Sequence, residues 1–375
     1  MTILDRYVLK KFALPFAYCI FGFIAIWFIF DLSDNLPDFL QGRASADFLF
    51  RYYQSQIPEI IVMSLPIGAL LALLYSLTAM SRSNEIISML GAGLSVVRIL
   101  MPLLGFGLIL VAVTAWFNYE QVPHAAMIKK QMIKDVKRKK PREPGLSAHL
   151  YRNREDLRTW FMQKITPGNN RVFNIQIIQQ DQAANITRQI YAHDGQYNPE
   201  TKVWTMFYGM EVEMSPDRRE EKKEMFDRRE YAGWKETPWR IASSVMNPDY
   251  LSIPELRDYL QYNSDFPVAR LAPYRTQLAY RWALPWVSLL VVFLAAPLGI
   301  VYSRRGILGG VALAIGLFFS LAFVSSLFIA FGKGGRISPF IAAWGPLMLY
   351  FGIGFLLLWY RSTNRDLPKL KIPGF

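Results

Sequence analysis

The sequence predicts a membrane α-helical protein with six transmembrane helices and an inserted, periplasmic β-jelly-roll-like domain. Three observations carry that expectation. Apolar residues form 52% of the 375-residue chain and gather towards its two ends, while the charges crowd the middle. Apolar runs of about 18 residues or more recur in both end segments, the length that crosses ~30 Å of hydrocarbon as a helix. The middle instead alternates with the period of a β-strand between turn signals.

The first span runs from Phe12 to Phe30, behind Arg6, Lys10 and Lys11. The second covers Ile57 to Met80, with Pro58 and Pro66 inside it, and the third Ile99 to Phe117. After the polar middle come Trp282 to Tyr302, Ile307 to Phe331 and Ile337 to Tyr360. Prolines and glycines inside these runs are tolerated in membrane helices. The first run is too long for the core of a signal peptide and lacks a cleavage site after it, so it is read as a retained span. An N-terminus in the cytoplasm places Arg82, Arg98, Arg304, Arg305, Arg361, Arg365, Lys369 and Lys371 inside, and leaves Arg43, Arg51, Lys333 and Arg336 outside. That asymmetry puts both termini in the cytoplasm. The layout is residues 1–117 with a cytoplasmic helix at 81–97, a periplasmic segment at 118–270, and residues 271–375.

Within the middle segment, Ala125 to Lys140 reads as a helix with a basic end, stopped by Pro141, Pro144 and Gly145. Strands follow, most clearly Arg171 to Ile178 and Lys202 to Tyr208, with turns expected at Gly168-Asn169-Asn170, Asp194-Gly195 and Asn198-Pro199. Several short strands so spaced suggest a sandwich or jelly roll. Ser252 and Glu255 have the spacing of a capping box opening a short helix to Tyr262.

Catalytic chemistry is not visible. The net charge of +13 invites a nucleic-acid reading, but no such motif accompanies it, and border Lys and Arg account for much of it. Gly332-Lys333-Gly334-Gly335 lacks the spacing that cradles phosphates, so ATP hydrolysis, if used, is expected on another chain. His124, His149 and His193 have no metal-ligand spacing, and Cys19 stands alone in the first span. Neither a metal nor a cofactor is expected, and the protein is not read as an enzyme. Glu59, at the outer edge of the second span, either snorkels or faces a cavity.

Ser81 to Ser95 is the most informative stretch. Ser83 or Asn84 is placed to cap a helix, Glu85 falls in its first turn, and Ile86, Met89, Leu90 and Leu94 share a face. Two readings stand: a helix lying on the inner leaflet, or a coupling helix that docks in a cytoplasmic motor.

At this stretch the chain resembles the LptF/LptG permease family of the lipopolysaccharide export ATP-binding-cassette transporter. Ile3 to Tyr7 resembles the family's opening. Ser83 to Met89 with Gly93-Leu94-Ser95 resembles its coupling-helix signature. Asn118 with Pro123 resembles the exit from the third span, and Ala296 to Gly299 followed by Arg304-Arg305-Gly306 the turn between the fourth and fifth. The resemblance implies a permease subunit that extracts lipopolysaccharide and passes it to a periplasmic bridge. Its implied partners are an LptB-type ATPase dimer, a second LptF/LptG-type permease and an LptC/LptA-type bridge. The ATPase-coupling residues would be Glu85, Ile86, Met89, Leu90 and Gly93, with Glu85 meeting a basic residue of the ATPase and Ile86 and Met89 filling its groove. The outer faces of the first and fifth spans would admit the lipid. On the β domain Phe161, Phe173, Ile175, Ile177, Trp204, Phe207 and Tyr208 are candidates for an acyl-chain groove, with the sandwich core as the alternative. One departure stands out: the exit of the first span carries Asp31, Asp34 and Asp38, where some relatives carry cations. Lys129 to Lys140 is a second source of positive charge, or simply a solvated face. The competing functional reading is a membrane-anchored scaffold whose β domain binds partner proteins. For a lipid-modifying enzyme there is no nucleophile or metal set.

Overall fold

The computed structural model describes residues 2–138, 146–166, 169–214, 220–244, 246–264, 266–300 and 307–363. Arg304, Arg305, Gly306, Lys139, Lys140, Pro141, Pro144, Gly145, Gly168, Arg365, Lys369 and Lys371 lie outside them. In chain order come α1 (Ile3–Gln41), α2 (Ala46–Arg82), α3 (Glu85–Gly91), α4 (Val96–Tyr119) and α5 (Gln121–Arg138). They are followed by β1 (Leu146–Asn153), β2 (Arg158–Thr166), β3 (Arg171–Gln180), β4 (Ile186–Asn198), β5 (Val203–Met214) and β6 (Glu220–Ala232). Then come α6 (Pro238–Ser243), α7 (Ile253–Tyr262), α8 (Val268–Ala283), α9 (Trp286–Gly299), α10 (Ile307–Lys333) and α11 (Pro339–Ser362). The chain divides into a helical unit (Met1–Lys139, Pro248–Arg257, Val268–Phe375) and a β unit (Lys140–Asn247, Asp258–Pro267).

In the helical unit α1, α2, α4, α10 and α11 are each long and apolar enough to cross a membrane. A sixth candidate is the pair α8 and α9, bent by 51° between them, which is long and apolar enough when taken as one span. The fourth span expected over Trp282 to Tyr302 is not one straight helix: the break falls inside it, α9 begins only at Trp286, and Tyr302 lies outside the described residues. Pro285 lies in the break, where its missing N–H cannot continue the ladder of α8. Side-chain caps fix several starts. Thr2 and Asp5 form a full capping box on α1, and Ser95 and Ser338 cap α4 and α11. The Ser252–Glu255 box expected ahead of α7 is made: Ser252 N–H donates to Glu255 Oε2 at 2.7 Å and Glu255 N–H to Ser252 Oγ at 3.4 Å.

α2 is the hub. Leu73, Leu77 and Met80 pack with Val8 and Phe12 of α1, Ile99, Leu100 and Leu103 of α4, and Val291, Ala295 and Leu298 of α9. A smaller cluster joins Leu290 and Leu294 to Leu321 of α10 and Leu347 and Tyr350 of α11. In the apolar windows of the spans, 67% of α2 is buried, but only 6% of α1 and 17% of α10.

The β unit is one six-stranded antiparallel sheet in chain order β1-β2-β3-β4-β5-β6. Among the described residues the strands form a meander without Greek-key crossovers. The sheet nevertheless encloses a core as a jelly roll does. The ladder is interrupted along one row, Gln163–Asn174–His193–Tyr208–Asp227, where Asn174 and Tyr208 have φ near +50°. Across that row the inward parity changes: Val172 but Ile175 and Ile177 on β3, Ile190 and Ala192 but Tyr197 on β4. The sheet is creased there and curls. Trp160 on β2 and Trp204 on β5 are three strand spacings apart, roughly 14 Å in a flat sheet, yet their ring centroids lie 5.1 Å apart. Both rings are wholly buried.

Asp194-Gly195, expected as a turn, lies inside β4. Gly195 is there for close packing: a Cβ would stand 2.6 Å from Ile175 Cδ1 and 2.8 Å from Met206 Sδ. The Asn198-Pro199 turn is made, with Asn198 Oδ1 accepting from Glu200 N–H at 2.9 Å.

Candidate functional site

The helix expected over 81–97 is three pieces. α2 runs on to Arg82, α3 has seven residues, and α4 begins at Val96. Neither Ser83 nor Asn84 caps α3 with its side chain: Asn84 sits at φ 60°, and Ser83 Oγ donates to Glu85 Oε1 at 3.0 Å. The exit from α3 is a Schellman turn. Gly93 N–H donates to Leu90 O, Leu94 N–H to Met89 O, and Gly93 takes φ +85°, which favours glycine.

The face read as outward looks inward. Ile86 is 1% exposed in the cluster around α2, and Met89, Leu90 and Leu94 pack against that cluster. Ile86 therefore cannot fill a partner's groove, since its side chain already fills this chain's own core. The exposed surface of α3 is Ile87, Ser88 and Gly91, continued by Ala92 and Gly93.

Glu85 remains at the surface, with its carboxylate one quarter exposed. Tyr7 Oη donates to its Oε2 at 2.8 Å, and Lys11 Nζ lies 3.6 Å from its Oε1. Desolvation pushes this carboxyl up, but the hydroxyls of Tyr7 and Ser83 and the Lys11 ammonium outweigh it and hold it below the usual glutamate range.

The β-sheet candidates divide. Ile175, Ile177 and Trp204 are core residues and offer nothing to a ligand on the outer face. Phe173 and Phe207 are half-buried in a row with Lys164, Asp194 and Arg228. Phe161 belongs to another row, which crosses all six strands: Leu150, Phe161, Gln176, Tyr191, Met210, Met225. Leu150 and Met225 are 55% and 82% exposed at its ends. This row, apolar at Leu150, Phe161, Met210 and Met225 and interrupted by the hydrogen-bonded pair Gln176–Tyr191, was not singled out from the sequence because it needs the register of five strand pairs. Tyr208 stands on the crease, exposed, beside a shallow cavity of about 480 Å³.

Asp31 does not present a negative charge at the exit of the first span. It is buried, with Lys129 Nζ at 2.8 Å and the Tyr52 hydroxyl at 3.0 Å. Lys129 also lies 5.1 Å from the Trp27 ring centroid. Glu59 faces a cavity of about 430 Å³ lined by Lys129, Lys130, Lys134 and Tyr250.

A family model described as "Lipopolysaccharide export system permease LptF/LptG" matches residues 6–360. The chain belongs to this family. Two curated relatives named lipopolysaccharide export system permease protein LptG, from Escherichia coli strain K12 and from Escherichia coli O6:H1 strain CFT073, are each 24% identical to it over 379 residues. Each alignment covers 96% of this chain and 99% of the relative. As an LptF/LptG permease the chain is a multi-pass inner-membrane protein of the lipopolysaccharide export system. Within it, Asn118 locks α4 to α8: its Nδ2 donates to Arg281 O at 2.7 Å and its Oδ1 accepts from Arg281 Nη1 at 3.1 Å.

Proposed function

We propose that this chain is an LptG-type permease subunit that extracts lipopolysaccharide from the inner membrane and passes it to a periplasmic bridge of LptC/LptA type. ATP is hydrolysed by a separate LptB-type dimer, and a second LptF/LptG-type permease completes the channel. Both termini and α3 face the cytoplasm, and the β unit faces the periplasm, an orientation that the positive-inside asymmetry supports. The observation that carries the reading is α3, a seven-residue helix between two spans that keeps one face in the core and presents Ile87 and Glu85 outward. Its docking surface is Glu85 with Ile87, Ser88 and Gly93, while Ile86, Met89 and Leu90 anchor it from behind. The poorly buried faces of α1 and α10 supply this chain's share of the lipid path. Lys130 and Lys134 beside the first-span exit supply cations for lipid phosphates, since Asp31 is already neutralised by Lys129. Phe161 and its row are the apolar surface available to acyl chains.

Affinity purification of the tagged chain from its native membranes tests this. An ATPase chain, a second six-span permease and lipopolysaccharide should travel with it. Glu85→Arg, which sets like charges across the contact, should weaken recovery of the ATPase chain at least ~10-fold. Recovery of periplasmic proteins alone, with Glu85→Arg silent, would make the chain a scaffold and α3 an interfacial anchor.

A further inference from the structure

The first turns of α1 hold both ends of the segment that carries α3. At its start, Glu85 accepts from Tyr7 at 2.8 Å and faces Lys11 at 3.6 Å, and the Lys11 ammonium lies 5.4 Å from the Tyr7 ring centroid. At its end, Arg98 of α4 donates to Asp5 Oδ1 at 2.7 Å, to Asp5 Oδ2 at 3.3 Å and to Thr2 Oγ1 at 3.2 Å. Val8 and Phe12 lie in the same buried cluster as Ile86. Beyond this clamp few residues of α1 are fully buried, although Phe16 and Ile20 still pack against the core around α2. α1 is gripped again at Asp31 by Lys129 and Tyr52, roughly 30 Å beyond Lys11 at ~1.5 Å per residue.

We propose that Tyr7 and Lys11 are positioning residues for Glu85, and that they make α3 and the start of α1 one mechanical unit. The inference rests on the reading of α3 as the docking helix. A cation of the motor that meets Glu85 then pulls on a carboxylate already tied to α1. Displacement of α3 reaches the single-helix span with the smallest share of buried residues, one that packs mainly along α2. Taken singly, an exposed ion pair holds little. Together with a hydroxyl donating to the same carboxylate, it fixes where the two oxygens point. Packed elements shift between discrete arrangements and do not stretch, so a fixed contact at one end of a helix is carried along it.

The test uses the whole complex of this chain with its ATPase and second permease, in proteoliposomes carrying lipopolysaccharide. Lipid released per ATP hydrolysed is measured for wild type, Tyr7→Phe/Lys11→Met, Lys11→Arg and Glu85→Arg. The double variant should keep the ATPase chain on purification yet release at least ~10-fold less lipid per ATP. Lys11→Arg should stay close to wild type. A merely structural loss would lower yield and association together and leave the ratio of the surviving complex unchanged. A wild-type ratio in the double variant, with Glu85→Arg still losing the ATPase, overturns the latch and leaves the docking reading standing. Loss of the ATPase chain from the double variant also overturns it, because Tyr7 and Lys11 would then belong to the docking surface. If Glu85→Arg changes neither association nor ratio, the docking reading falls and takes the latch with it.

Discussion

At the scale of single residues, the strongest constraints come from polar groups whose partners lie far away in the chain. Glu236, between β6 and α6, is wholly buried. Its carboxylate accepts from Arg158 Nη1 at 2.7 and 2.9 Å and from Asn153 Nδ2 at 3.0 Å, and its backbone carbonyl accepts from Trp204 Nε1 at 2.6 Å. Arg158, with 11% of its side chain exposed, depends on that carboxylate. Glu236→Ala removes the carboxylate paired with this guanidinium and leaves it Gln179 and the Trp234 ring, and breaking such a buried pair typically costs ~3–5 kcal/mol. The denaturation midpoint of the β unit, followed by the fluorescence of Trp160 and Trp204, should fall accordingly. An unchanged midpoint would show that water replaces the carboxylate without loss. Nothing in the sequence around Lys235-Glu236-Thr237 announces this role, because Asn153 and Arg158 are about eighty positions away. Asp31 is a similar case: read alone it makes an acidic exit, and only the fold brings Lys129 to it.

At the scale of elements, spacing identifies faces but does not say what they face. Ile86, Met89, Leu90 and Leu94 do share a side of the α3 segment, as their period requires. That side is taken by the core around α2, which leaves Ile87 as the outward apolar residue. Five of the spans were legible because length and hydropathy alone specify them. The bend in the sixth was not, since α8 ahead of Pro285 carries Arg270, Arg275 and Arg281 and reads as a polar amphipathic helix, while only α9 after it reads as a span. Gly195 was misread as a turn because glycine also serves where two side chains press on a strand. Gly93 is the opposite case, for nothing within this chain lies within 4 Å of its missing Cβ and it is the left-handed φ that calls for glycine there. Gly93→Ala should therefore cost only about 1 kcal/mol, the strain of an L-residue in that conformation. The loss should appear as a small drop in the thermal midpoint of the full chain in detergent. A drop as large as that of a core truncation would mean that the turn packs against something.

At the scale of the whole molecule, burial is unequal in a way that isolation does not explain. α2 is packed on most sides, whereas α1 and α10 show long apolar faces: Phe21 is 76% exposed, Phe319 64% and Phe323 66%. In a bilayer such faces cost nothing by themselves, because lipid tails are as apolar as the side chains, so exposure there records which surfaces the chain leaves for something else. Truncation separates the two uses of apolar residues. Leu73→Ala on α2 empties a site with no exposure at all and should destabilise the isolated chain by ~2–5 kcal/mol. Phe21→Ala touches little of this chain and should stay within about 0.5 kcal/mol. If the α1 face works in the assembled exporter, that same substitution should lower the yield of lipid-loaded complex several-fold, which Leu73→Ala does only through loss of folded protein. Thermal midpoints of the isolated chain, set beside the lipopolysaccharide recovered with the complex, distinguish the two. Should Phe21→Ala assemble and load like wild type, the face of α1 is lipid-facing surface only, and the path of the substrate lies elsewhere in the bundle.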